Sequence, residues 1–246
     1  MVAGASEGLG AAFVDALAAR GVNVVAVARR EEPLDALAAR IDRVEVRTLA
    51  LDLADPAFPE ALATATVGLE IGLGVYNAAF SFVAPLLSRP PADALRVVDV
   101  NVRGPLLFAH ALAPAMVARG RGGLVLMSSL AGNQGSPGLA AYAASKAFTT
   151  SLAESLWGEL EPSGVDVVGC LAGAIRTPGY AGASSGDAPG TLDPGQVAEA
   201  ALGALGKGPV VVPGATNRVA TFAMRRVLPR RAAVAIMRRS IDRLGG

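Results

Sequence analysis

Seven short apolar runs punctuate this chain, at residues 1–3, 22–28, 44–49, 71–76, 124–127, 165–171 and 210–212. Between them lie stretches with helical periodicity, at about residues 10–20, 59–66, 90–101, 104–119, 142–161 and 194–205. The third and fourth of these read as two helices or as one interrupted helix. Apolar runs alternating with helices leave few folds open, because each strand–helix–strand unit closes as a right-handed parallel crossover. The pattern predicts an α/β fold: a Rossmann-like doubly wound parallel sheet with helices on both faces. No linker or composition shift precedes residue 213, so residues 1–213 are read as one catalytic domain and 214–246 as a helical extension.

Composition excludes several functions. Net charge is +1, which gives no global pull toward nucleic acid. Cys170 is the only cysteine and lies in an apolar run, so it reads as a buried structural thiol in a reducing, cytoplasmic setting. His110 is the only histidine and no His/Cys/Glu cluster occurs, so no metal site is expected. No apolar run reaches the length of a membrane span and no signal peptide is recognised.

The first unit carries Gly4, Gly8 and Gly10, with Ser6, Glu7 and Leu9 between them, and opens directly into a helix. Glycines so placed permit a tight turn and close backbone approach, and a helix start offers unpaired N–H groups to a phosphate. The next strand ends at Ala28 and is followed by Arg29 and Arg30. An acidic residue there would hold a ribose 2′-hydroxyl, whereas a guanidinium fork matches a 2′-phosphate. NADP(H) is therefore expected over NAD(H). Only three residues precede Gly4, where a buried strand usually has five or six. The first strand is thus expected to be truncated, and the start trimmed or mis-assigned.

A second constellation follows the fifth run. Tyr142 and Lys146 are four residues apart on one helix and share a face. A phenol with a pKa of about 10 is a poor acid near neutrality, and a nearby ammonium should lower it. The Ser129 hydroxyl, at a strand end, is placed to hydrogen-bond the same substrate oxygen. Together these groups suit proton transfer at a C=O/CH–OH pair.

Gly4-xxx-Gly8-x-Gly10, Asp52, Asn77-Ala78, Asn101, Ser129, Tyr142-xxx-Lys146 and Ala172-Gly173-xxx-Thr177 occur in this order. With them the chain resembles the short-chain dehydrogenase/reductase family over residues 1–213. The resemblance implies that Tyr142 is the acid or base, that Lys146 tunes it and binds the nicotinamide ribose, and that Ser129 polarises the substrate oxygen. It implies a water held by Asn101 that links Lys146 to solvent, and adenine contacts from Asp52 and Leu53. It further implies that Asn77, Ala78 and Gly173 line the cofactor and that Ile175 and Thr177 meet the nicotinamide carboxamide. Family members form dimers and tetramers through the helices that here span 104–119 and 142–161. Tyr76, Ala79 and Ala172 depart from the usual asparagine, glycine and proline.

Phe80, Phe82, Val83, Leu86, Leu139 and Tyr180 fall in loops after strand ends, and predict an apolar pocket for an uncharged carbonyl or alcohol. Residues 181–190 are small and polar and read as a mobile lid. From Arg218 onward, paired arginines alternate with apolar residues, and Pro229 divides the segment into two helices. Such a tail suits an anionic membrane surface, or else packs on the body with its arginines in water. The activity expected is NADP(H)-dependent interconversion of ketone or aldehyde and alcohol. The alternative is a non-catalytic, nucleotide-binding regulatory or membrane-peripheral protein.

Overall fold

In the computed structural model, which describes residues 1–181 and 186–242, the apolar runs form one parallel sheet. Among the described residues it has seven strands in the order β3-β2-β1-β4-β5-β6-β7. They are β1 (Val2–Ala3), β2 (Val24–Ala28), β3 (Val46–Ala50), β4 (Leu73–Tyr76), β5 (Gly122–Ser129), β6 (Val165–Ala172) and β7 (Val210–Val211). The helices are α1 (Gly8–Ala18), α2 (Glu31–Ala39), α3 (Phe58–Ala65), α4 (Pro91–Val98), α5 (Gly104–Ala118), α6 (Ala140–Leu160), α7 (Pro178–Ala181), α8 (Pro194–Leu202), α9 (Ala215–Phe222) and α10 (Arg230–Asp242). The doubly wound expectation holds.

Each sheet face has its own core. Phe13, Val14 and Leu17 of α1, Leu34 and Leu37 of α2, and Val197 and Ala201 of α8 cover one side. Phe58 and Leu62 of α3 and Phe108, Leu112 and Met116 of α5 cover the other, together with Ala153 of α6. Strands apolar on both sides are what a sheet sandwiched between helices requires. β1 is as short as expected, yet central: Val2 is in register with Ala26 on one side and Val75 on the other. The strand order reverses between β1 and β4, and their carboxyl ends open the crevice in which such folds bind ligands.

The break between residues 101 and 104 resolves as a π-turn, Asp99–Arg103, which joins α4 to α5 in one interrupted helix. Tyr76 explains part of it. Its buried hydroxyl donates to the Val100 carbonyl at 2.6 Å, and its ring meets Phe108 edge-on at 5.4 Å. A Cβ at position 104 would collide with that hydroxyl, so Gly104 accommodates it. Tyr76→Phe should leave the Val100 carbonyl short of a partner at a cost of about 1–3 kcal/mol. A melting point lowered by about 2–4 °C per kcal/mol would register it.

The tail packs against the body. Asn217, which is buried, donates to the carbonyls of Gly190 at 3.0 Å and Pro213 at 2.9 Å. A second π-turn, Ala223–Val227, ends α9 before Pro229, and Arg230 then donates to the Asn133 carbonyl at 2.9 Å. Ala233 and Ile241 of α10 face inward. The lid expected at 181–190 falls partly on residues 182–185, outside the described residues, as do Arg243 and Leu244 of the tail. The returning part of that loop is fastened: the Arg176 guanidinium donates to Asp187 and to Asp193, each at 2.8 Å.

Candidate active site

A cavity of about 550 Å³ runs along the carboxyl ends of the central strands, from the glycine loop at one end to Tyr142 at the other. Gly4, Ser6, Glu7, Gly8 and Leu9 floor the first end, and Ser129, Tyr142 and Lys146 close the second.

The glycine loop is shaped by contact. Gly4 has φ 82° and lies so close to Ala78 that a Cβ would sit 2.6 Å from the Ala78 nitrogen. Gly8 has φ 55° and faces Thr177, which brings the loop against the segment after β6. Gly10 lies beneath the loop, against the Gly4 carbonyl, and does not line the cavity. The Asn77 side chain donates to the Gly4 carbonyl at 2.9 Å and ties the loop to β4. Among the described residues no side chain caps the start of α1, which leaves its first N–H groups for an anion. These features fit a dinucleotide phosphate.

The two arginines after β2 differ. Arg30 is paired with Glu7 at 2.9 Å, whereas Arg29 has no ion pair among the described residues. Both line the cavity. Asp52 accepts from the Ala54 N–H and from Arg96, each at 3.0 Å, and Leu53 beside it is buried. Burial opposes ionisation of Asp52, but the Ala54 and Arg96 hydrogen bonds together with the charges of Arg96 and Arg29 outweigh it and hold the carboxyl below its usual range. Arg96 lines the cavity too and stacks over Phe80 at 5.6 Å. Nothing in its spacing marked it, since its partners come from two distant loops.

At the far end, Ser128 and Ser129 separate in role. Ser128 is buried and holds the Lys146 carbonyl and the Thr150 hydroxyl, each at 2.7 Å. Ser129 accepts from the Ala131 N–H at 3.2 Å, and its hydroxyl neighbours the Tyr142 phenol. Lys146 donates to the Met127 carbonyl at 2.8 Å, and its Nζ lies 5.5 Å from the Tyr142 ring centre. The reading that Lys146 should draw the phenol toward neutrality is not what this arrangement gives. Burial pushes the Tyr142 pKa above its ordinary 10, and the neighbouring Ser129 hydroxyl offsets part of that rise. Lys146 itself falls from its usual 10.5 to about 8, again through burial.

That depressed pKa has a cost in stability. Below about pH 8 the native lysine is charged in a buried site, while the unfolded lysine stays protonated up to about 10.5. The gap between the two values corresponds to about 3 kcal/mol. This penalty is full below pH 8 and is relieved as pH rises toward 10.5. Lys146→Met, which also gives up the bond to Met127, should therefore stabilise the cofactor-free protein by about 1–3 kcal/mol at pH 7. Its advantage should shrink by pH 10, as denaturant melts at the two pH values would show.

Asn101 is 1% exposed and does not line the cavity. Its amide is fully engaged, accepting from Phe80 N at 2.8 Å and donating to Phe80 O at 2.9 Å and Ser145 Oγ at 3.1 Å. Only its backbone carbonyl, which also accepts from Thr149 at 3.3 Å, remains to hold a water. Ala78, Gly173, Ile175 and Thr177 line the cavity as expected, as do Phe80, Val83, Leu139 and Tyr180. Phe82 and Leu86 do not: Arg89 covers the Phe82 ring at 5.7 Å, and Leu86 is exposed.

Comparison with known proteins agrees with this arrangement. A family model described as short chain dehydrogenase matches residues 1–187. The chain is 33% identical over 227 residues to a 7beta-hydroxysteroid dehydrogenase of Collinsella aerofaciens, covering 89% of this chain and 86% of that protein. A solved structure of a 7beta-hydroxysteroid dehydrogenase superposes with a TM-score of 0.90 at 31% identity, over 96% of this chain and 95% of that one. A short-chain dehydrogenase from Sphingobium yanoikuyae in complex with NADPH superposes with a TM-score of 0.81 at 31% identity, over 91% and 90%.

Proposed function

The chain belongs to the short-chain dehydrogenase family, whose enzymes interconvert hydroxyl and keto groups, and on that premise we propose that it is an NADP(H)-dependent reductase of apolar ketones. One observation carries the reading: Ser129, Tyr142 and Lys146 line one end of a cavity whose other end is the glycine loop. The nicotinamide would supply the hydride. Gly4, Ser6, Glu7, Gly8 and Leu9 would bind its phosphates with Gly10 supporting the loop, and Asp52 and Leu53 would meet the adenine. Asn77, Ala78, Gly173, Ile175 and Thr177 would hold the nicotinamide half.

Ser129 and Tyr142 would both point hydrogen at the substrate oxygen. A phenol held neutral by burial is suited to give its proton as the oxygen gains charge, which favours the reducing direction. Lys146, braced by Met127, would stabilise the phenolate left behind. The Asn101 carbonyl would seat the water that returns the proton.

Arg29 would meet the 2′-phosphate, being the arginine after β2 that Glu7 leaves unpaired. Arg29→Asp should move the NADPH/NADH preference by about 10–100-fold toward NADH, in keeping with loss of one charged contact. Unchanged selectivity in fluorescence titration would remove Arg29 from this role.

The apolar wall of Phe80, Val83, Leu139 and Tyr180 supports a lipid-like substrate, as does the hydroxysteroid dehydrogenase name of a relative. Oxidation of NADPH by a panel of steroid-like and long-chain ketones, but not by charged keto acids, tests this directly. We also propose that residues 1–213 are the catalytic domain, with 214–246 as an extension. Copies would pair through α5 and α6, where Leu106 and Val117 are exposed.

A further inference from the structure

We propose that α9 and α10 form a docking surface for an anionic lipid bilayer. The inference rests on neither the nucleotide nor the ketone reading. Residues 214–246 hold eight of the chain's 22 basic residues and one of its 21 acidic ones, so the tail carries +7 and the rest of the chain −6. A chain near neutrality overall is thus strongly polarised. Arg218, Arg225, Arg226, Arg231, Arg238 and Arg239 have no ion pair among the described residues, although the body has acids to spare.

Apolar side chains stand among these arginines. Val219 and Phe222 are three apart on α9 and share its outer face, 69% and 64% exposed, and Val227 follows at 64%. Exposed apolar groups in a cationic frame are the two signals that reversible bilayer attachment requires: insertion of the former and attraction of the latter to anionic headgroups. The inner side of the same helices is fixed. Asn217, Ala233 and Ile241 are buried, and Arg230 holds Asn133 in the segment that follows Ser129. The outer face is therefore a platform on the body, beside the wall that carries Leu139 of the cavity.

The test uses the whole chain and sedimentation with phosphatidylcholine vesicles, with and without phosphatidylglycerol. Binding is expected only with phosphatidylglycerol, and should fall steeply with added salt. Arg225→Glu/Arg226→Glu and Val219→Ser/Phe222→Ser should each weaken it by about ten-fold or more, with NADPH affinity unchanged. All four positions are exposed, and equal melting points would confirm that the variants fold. Salt-insensitive binding, equal binding to neutral vesicles, or none at all would overturn the proposal. So would a drop in mass on light scattering of Val219→Ser/Phe222→Ser without vesicle binding by the parent, which would assign the face to a second copy of the chain.

Discussion

Tyr142→Phe should lower ketone turnover by about 10²–10⁴-fold, the usual worth of a positioned general acid, while NADPH binding stays intact. The substitution removes one oxygen from a half-buried ring and leaves the Ser129 hydroxyl and the Lys146–Met127 bond in place. Because the phenol is held neutral, the loss should appear in kcat more than in KM, since the proton is needed only as the substrate oxygen gains charge. The pH profile separates a chemical role from a packing one. In the parent, oxidation of an alcohol should rise with pH as a proton is drawn from the Tyr142–Lys146 pair, whose lysine titrates near pH 8. In the phenylalanine variant that rise should vanish, and a residual activity with the parent's pH dependence would place the proton donor elsewhere.

Gly10→Ala is expected to be the most damaging single methyl in the chain. A Cβ there would lie 2.7 Å from the Gly4 carbonyl carbon and 2.9 Å from the Ala5 Cα, both backbone atoms of the loop that would face the phosphates. Backbone so placed cannot swing aside as a side chain can. The loop would shift, at a cost of about 1–3 kcal/mol or more, and NADPH affinity should fall by about 100-fold or more. Gly158→Ala is the control: it lies in α6 with nothing near its absent Cβ and should stabilise by about 0.5–1 kcal/mol. Titration of both variants with NADPH, beside their melting points, reads loop geometry apart from helix propensity.

These two positions were legible because their signals are local. Glycines 4, 8 and 10 mark a turn through their spacing between a strand and a helix, and Tyr142 and Lys146 face one way because a helix repeats every 3.6 residues. The strands were legible in number and in place along the chain, with ends shifted by a few residues. What stayed hidden depends on partners far apart in sequence. The π-turn at Asp99–Arg103 leaves no periodic trace, and its tie to Tyr76 joins residues 24 apart in sequence. Glu7 neutralises Arg30 but not Arg29, which no reading of the arginine pair could separate. Phe82 and Leu86 share the composition of a pocket wall yet turn outward, because Arg89 covers one and solvent meets the other. The Tyr142 pKa depends on distant packing in the same way: helical spacing shows the nearby lysine but not the desolvation that raises the phenol.

The crevice from Gly4 to Tyr142 is proposed as an NADPH site ending at a proton donor. Fluorescence titration of the purified chain with NADPH and with NADH tests it most directly. Saturable binding with NADPH favoured, the preference being lost in Arg29→Asp, is the predicted result. Failure of either nucleotide to bind a folded chain would contradict it.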